Sequence, residues 1–433
     1  MTRQTASPAN ERSAVAPARS NLVLVMLLIV YIFNFVDRQI LAILAAPIQA
    51  ELALSDGEMG LLGGIAFALL YSTLAVPLAA LADRTSRSWV ITVSLVVWSG
   101  FTAICGLAQN FWQIFLARLG VGIGEAGGVA PSYALIGDYF PSEKRAFALS
   151  VYSLGIPIGS ASGVVLGGYI AASVNWRVAF IVVGLMGVAI APLFKFLVRD
   201  KIKPVAAMPE GAPANQTLGQ TARILARKKS FWFLSLGAAS ASMIGYGLAF
   251  WLPSLLQRSF GFDLVATSQF YGALLMFGGV GGVLAGGWLG DRLGGRDRAF
   301  FAFVPAIAYL IAAPLFALGI MSKSATFAFL IFLIPQGLSY VWLGPVLSAI
   351  QHLVKPSARA TACALFLLIV NLIGLGGGIY ALGALSDALV PIHADEALRY
   401  SMLYALALYG LAAIVMACAG PNLRKEWVSE HTT

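Results

Sequence analysis

Apolar runs of about 20 residues follow one another along the whole chain, separated by short polar breaks. Each run is long enough to cross ~30 Å of hydrocarbon as a helix. Twelve are read, at 21–47, 58–82, 88–108, 111–139, 146–174, 176–198, 231–259, 268–291, 299–319, 324–352, 359–386 and 397–419. One long hydrophilic break, 199–230, carries Pro204, Pro209 and Pro213 and ends in Arg227-Lys228-Lys229. It divides the runs six and six. The pattern predicts an all-α membrane protein with twelve transmembrane helices in two six-helix pseudo-symmetric bundles. The expected organisation is a disordered N-terminus (1–20), a first bundle (21–198), a linker with an interfacial helix in its last part (199–230), a second bundle (231–419) and a tail (420–433). No small-residue cleavage site follows the first apolar run, so that run is expected to stay in the protein.

The halves repeat each other. Asp83-Arg84-Thr-Ser-Arg87 follows the second span, and Asp291-Arg292-Leu-Gly294-Gly295-Arg296 follows the eighth. Pro141-Ser142-Glu-Lys-Arg145 precedes span five, and Pro356-Ser357-Ala-Arg359 precedes span eleven. Parallel repeats of six helices are a transporter architecture with the substrate between them. Glycines recur every fourth residue in span five (Gly155, Gly159, Gly163, Gly167) and span eight (Gly278, Gly282, Gly286, Gly290). Such stripes admit a close helix neighbour. They predict either tight packing within each half or a seam between the halves, with Gly60 and Gly64 against Gly374 and Gly378 as a second seam.

Composition excludes a soluble domain: 59% of the 433 residues are hydrophobic and 11% charged, with mean hydropathy +0.84, where soluble domains run nearer 25% charged. The net charge of +9 does not mark a nucleic-acid partner. With an inside N-terminus, 22 of the 28 Lys and Arg fall in segments on one side. That bias is the positive-inside pattern and puts both termini in the cytoplasm. Cys105, Cys363 and Cys418 all lie in spans and give no disulfide or metal pattern. Gly122-Ile-Gly124-Glu-Ala-Gly127 satisfies the dinucleotide pattern but has no preceding strand, and no Walker loop is present. No cofactor is expected. His352, His393 and His431 form no cluster, so an enzyme is not expected.

Four ionisable residues sit deep in the spans: Asp37, Arg38, Arg118 and Glu125. Each costs roughly 3 kcal/mol on insertion scales, about 12 in all. All four are in the first half. Asp37 and Glu125 are the carboxylates nearest the midplane and are the expected proton-coupling groups, the alternative being a fixed ion-pair network. Arg38 and Arg118 have forks that suit phosphate or carboxylate. With Asn34, they are the expected headgroup or ion-pair set. The second half offers Tyr246, Trp251, Phe277, Tyr340, Trp342, Phe366 and Asn371 as an apolar cavity wall. Asp83, Arg84, Arg87, Arg145, Asp291, Arg292 and Arg359 are the expected cytoplasmic gate, the acids lying near the positive helix ends of spans eleven and five.

Together these features resemble the major facilitator superfamily. The second loop copy matches its signature better than the first, where Ala79 and Ser86 replace glycines. Asn34-Phe-Val-Asp37-Arg38, Arg118-Leu-Gly-Val-Gly-Ile-Gly124-Glu125-Ala126 and Pro131 to Pro141 are similar to the Spinster family of lysolipid and sphingolipid transporters. The resemblance implies that spans one and four share the cavity wall, which makes Arg38–Glu125 and Arg118–Asp37 the expected cross-helix pairs. It implies a monomeric secondary transporter of the bacterial inner membrane, surrounded by membrane lipids. The expected cargo is a lysophospholipid or sphingolipid-like amphiphile, moved by alternating access with protons. The alternatives are a proton-coupled symporter of small organic anions, a multidrug exporter, or a membrane enzyme or receptor.

Overall fold

The computed structural model describes residues 17–200, 218–294, 296–355 and 358–428. Among the described residues there is helix and no strand. Eleven helical stretches are long and apolar enough to cross a membrane: Arg19–Ile43, Asp56–Ala82, Arg87–Cys105, Phe111–Tyr139, Phe147–Ser173, Trp176–Leu197, Lys229–Phe260, Leu264–Gly286, Phe300–Met321, Ala325–Gln351 and Thr361–Glu426. The last has 66 residues, about 100 Å at 1.5 Å per residue, too long for one pass. It folds back at the short turn Ala394–Glu396, where Ala394 has φ 46°. Ser401 Oγ then donates to Leu382 O across the two legs at 2.6 Å. The eleventh span therefore ends at His393 and the twelfth starts at Ala397.

Two domain boundaries differ from the sequence reading. Residues 17–20, expected in the disordered N-terminus, are the first helical turn, fixed by Ser20 Oγ donating to Tyr139 O at 3.1 Å. The twelfth span continues to Glu426 rather than 419. Glu426 accepts from Lys229 N (3.1 Å) and Ser230 N (3.0 Å), satisfying the open N–H groups that begin the seventh span. Within 199–230, Leu218–Ala226 is helical; residues 1–16 and 201–217 lie outside the described residues.

The glycine stripes pack inside the halves. A Cβ on Gly159 would stand 2.4 Å from Ile32 O, and one on Gly163 2.8 Å from Val36 Cα, so span five seats span one. Likewise Gly282 and Gly286 lie against Gly337 and Val341 of span ten. Spacing told that a backbone comes close, but not whose. The second seam does cross the halves, in a different register. A Cβ on Gly64 would stand 2.6 Å from Gly376 O and one on Gly60 2.9 Å from Ile379 O, while Gly374 and Gly378 turn to Ser242 and Met243 of span seven. Residues Asn371–Gly377 form a π-helical stretch beside this seam, a local widening often found near functional sites.

Candidate functional site

Span one is oriented by span five. Ile32 and Val36 meet the glycine stripe. Asn34 and Arg38 lie two residues from Val36 on either side, 200° around the helix at 100° per residue, and so face away from that contact. Span four is held by its own glycines. A Cβ on Gly120 would meet the Phe101 ring at 2.4 Å, on Gly122 Phe67 O at 2.5 Å, and on Gly124 Trp98 N at 2.4 Å. The glycine pattern that mimics a dinucleotide loop is thus a packing device. It presses span four onto spans two and three and fixes Glu125.

These two placements bring Arg38 and Glu125 together. Arg38 Nε donates to Glu125 Oε2 at 2.8 Å, with the carboxylate side chain fully buried. The guanidinium also lies over three rings, Tyr71 at 4.6 Å, Phe67 at 5.0 Å and Phe35 at 5.1 Å. Each such contact contributes roughly 0.5–2 kcal/mol, the upper end when desolvated. The sequence reading missed this aromatic cage. Its trace was there: Phe35 stands three residues before Arg38, and Phe67 and Tyr71 stand four apart on span two.

The second expected pair does not form. Arg118 Nε donates instead to Leu62 O at 3.4 Å, and its guanidinium lies 5.1 Å from the Phe67 ring. Phe67 therefore carries a guanidinium from each of two helices. Asp37 is 1% exposed, and neither of its carboxylate oxygens has a hydrogen-bond partner. Asn34 Oδ1 and Glu125 Oε1 are buried in the same condition. A buried ionised carboxylate without partners is strongly unfavourable. Such a group belongs to a site that takes a proton, takes water, or changes partner.

A small cavity of about 50 Å³ adjoins these groups, room for a water or two and not for a larger molecule. Arg38, Gln39, Phe67 and Arg118 line it from the first half; Tyr246, Phe250, Leu375 and Ile379 line it from the second. Of the second-half residues singled out by sequence, only Tyr246 is on this wall. Trp251 is a correction: it is fully buried and donates from Nε1 to Ile379 O at 3.0 Å, locking spans seven and eleven. Phe277 does not line this small cavity; it is exposed on its helix, as are Leu284 and Trp288. Phe366 is buried and packs on Trp342, their rings 6.2 Å apart. Tyr340 is half-buried beside Gly279, and Asn371 opens the π-helical stretch.

The expected gate residues lie at the end of the bundle that carries residues 17–20. Arg87 pairs with Asp138, and Arg145 donates to Gly137 O at 3.0 Å, both inside the first half. Arg292 lies 5.2 Å from the Trp288 ring of its own helix. Arg84 is exposed and Arg359 half-buried. The side chains of Asp83 and Asp291 lie outside the described residues.

The far end holds a cluster that sequence reasoning passed over. Arg258, at the end of span seven, grips Asp56 with both Nη atoms, at 2.9 and 2.7 Å. Gln49 Nε2 and Ser386 Oγ donate to the same carboxylate at 2.8 and 2.7 Å. Asp387 in turn accepts from Asp56 N (3.0 Å) and Gly57 N (2.8 Å), at the positive start of the helix Asp56–Gly63. Asp56 belongs to the first half, and Arg258, Ser386 and Asp387 to the second. The network closes the far end across the two halves.

The family model "Major Facilitator Superfamily" matches residues 27–378. An MFS-type efflux pump of Mycolicibacterium smegmatis is 32% identical over 415 residues, 96% of each chain. The sphingosine-1-phosphate transporter SPNS2 of Danio rerio is 27% identical over 84% of this chain and 76% of its own. Among solved structures, a bacterial homolog of the human lysosomal transporter Spinster, inward-facing and unoccupied, superposes with TM-score 0.85 at 29% identity, covering 96% of this chain and 99% of that one. A bacterial Spinster homolog in an inward-facing, occupied conformation gives 0.81 at 28% identity.

Proposed function

Because the chain belongs to the Major Facilitator Superfamily, as a multi-pass transporter of Spinster type, we propose that it moves an amphiphile of the lysophospholipid or sphingolipid class by alternating access coupled to protons. The observation that carries this reading is the buried Arg38–Glu125 pair beside the unpartnered Asp37, faced by an apolar wall from the other half. An anionic headgroup competes with Glu125 for Arg38 and engages Arg118. Its chain lies toward Tyr246, Phe250, Leu375 and Ile379. Displacing Glu125 from Arg38 leaves a buried carboxylate without its counter-charge, which a proton can neutralise, so headgroup binding and proton uptake are linked at one arginine. A charge moved across the membrane yields about 2.3 kcal/mol per 100 mV, enough to drive accumulation.

The far-end network supports a conformation closed on that side. With the positive-inside bias placing the termini in the cytoplasm, this is the inward-facing state of a monomer in a bacterial inner membrane. Opening outward then requires Arg258 and Asp387 to release the helix at Asp56, while Asp83, Arg145, Asp291 and Arg359 close the other end.

The test is uptake by proteoliposomes of a lysolipid panel and of small organic acids, with and without a pH gradient. Lysolipid uptake is expected to respond to the gradient, and Glu125→Gln to lose that response. Uptake of organic acids alone would overturn the substrate class, and a wild-type chain indifferent to the gradient would overturn the coupling. The 32% identity to an efflux pump favours a second reading, export of hydrophobic drugs, which predicts resistance phenotypes and no lysolipid uptake.

A further inference from the structure

A groove of about 530 Å³ runs between the third and sixth spans on the outer surface, remote from the central charges. Its floor is small and buried, Thr92 and Ala191, and its walls are the exposed side chains of Trp89, Val96 and Phe196. Ala191 and Pro192 line it from the sixth span. The groove ends at a polar lip. The third span starts at Arg87 and the sixth ends at Leu197, so the lip lies where hydrocarbon gives way to headgroups. Two cations stand on it, Lys195 and Arg199.

The lip is organised. Lys195 Nζ donates to Ser88 Oγ at 2.5 Å and lies 4.9 Å from the Trp89 ring. Among the described residues the acid at the lip is Asp200. It accepts from Ser88 N at 3.0 Å and Ser88 Oγ at 2.9 Å, and also from Ser86 Oγ. Partial burial works against its charge, but the hydrogen bonds from Ser86 and Ser88 outweigh burial and hold its carboxyl below the usual range. Its lone pairs are spent on the start of the third span. Arg87 is balanced by Asp138. Lys195 and Arg199 against Asp200 leave one net positive charge at the mouth of an apolar groove.

We propose that this groove binds one anionic phospholipid, its phosphate on Lys195 and Arg199 and an acyl chain along Trp89, Val96 and Phe196. Net charge selects the lipid. A zwitterionic headgroup brings its own ammonium to a site that is already cationic, and an uncharged glycerol headgroup does not. Basic pockets between spans recognise lipid phosphates in this way. The inference rests on the chain's membrane placement and not on the transport reading.

The test uses the full purified chain in mild detergent, with phosphatidylglycerol and phosphatidylethanolamine of matched chains, followed by native mass spectrometry. Two cations near a phosphate give roughly tenfold or greater preference for phosphatidylglycerol. The Lys195→Ala/Arg199→Ala chain is expected to lose the preference, and Lys195→Arg to keep it. Equal retention of the two lipids by the wild type, or unchanged preference in the double variant, overturns the proposal. A second measurement needs neither cation variant: the fluorescence lost on Trp89→Phe is expected to be quenched by brominated phosphatidylglycerol at a lower mole fraction than by the brominated zwitterion. Equal quenching would mean ordinary boundary lipid. A Trp89 shielded from both would mean that protein fills the groove. Either result overturns it.

Discussion

Among the described residues arginine grips a buried carboxylate twice, and the two grips differ in which half supplies each partner. At the centre, Arg38 and Glu125 both belong to the first six spans, as do the rings that cage the guanidinium. Rocking the halves leaves that pair intact. At the far end, Arg258 and Asp387 come from the last six spans and hold Asp56 and its helix from the first. Rocking must break it. The same chemistry therefore stabilises a fold in one place and a conformation in the other. On the reading proposed above, the central pair exchanges with a ligand because the opposite wall, Tyr246, Phe250, Leu375 and Ile379, offers Arg38 no rival carboxylate.

The comparison breaks most visibly at the centre. Glu125→Ala leaves the Arg38 guanidinium desolvated without its anion, a loss of about 3–5 kcal/mol for a broken buried pair. Thermal unfolding in detergent should fall accordingly, whereas Asp37→Asn, which removes a buried charge that has no hydrogen-bond partner, should leave the midpoint unchanged or raise it. Equal losses for the two variants would mean that Asp37 is engaged as firmly as Glu125. Asp56→Ala should act differently: little change in unfolding midpoint, but a shift toward the state open at the far end. A tenfold shift, about 1.4 kcal/mol, is expected from removing a network of this size. Ile379→Cys reports it, because Ile379 is buried in the seam against Gly60. In a chain freed of Cys105, Cys363 and Cys418, far-side thiol labelling should accelerate about as much. Labelling that stays slow would assign the closure to the glycine seam instead.

Why the two grips were unequally legible in sequence follows from where they sit. Hydropathy located the spans because a bilayer forces length and apolarity. Charges inside them stood out because they are costly there, so Asp37, Arg38, Arg118 and Glu125 were found as residue types. Their pairing was not readable from either helix alone. It depends on the rotation of span one against Gly159 and Gly163, and of span four against Phe101, Phe67 and Trp98. That rotation gave Arg38 to Glu125 and turned Arg118 to Leu62 O rather than Asp37. The far-end residues fall at span ends, where charge is unremarkable. Arg258 counted only toward topology, and Asp56, Ser386 and Asp387 did not count at all. For the second-half aromatics, apolar periodicity cannot separate a cavity face from a lipid face or a helix contact. Trp251 was misplaced for that reason.

A third grip gives the smallest effect and tests whether burial, rather than pairing alone, makes the first two matter. Arg424 holds Asp297, both in the second half and both at the surface. The hydrogen bond from Arg424 lowers the Asp297 carboxyl to about 2. A carboxylate depressed in the folded state contributes above its unfolded value, ~3.9, and loses that contribution as pH falls through the folded one. The unfolding midpoints of wild type and Asp297→Asn should therefore differ by a constant, small amount from pH 7 to 5, no more than roughly 2 °C because water screens the pair. The gap should close between about pH 4 and 2 and shrink with added salt. A gap as large as that of Glu125→Ala, or one that salt leaves untouched, would mean that burial does not separate these sites. The central pair could then no longer be ranked above the others by its isolation from water.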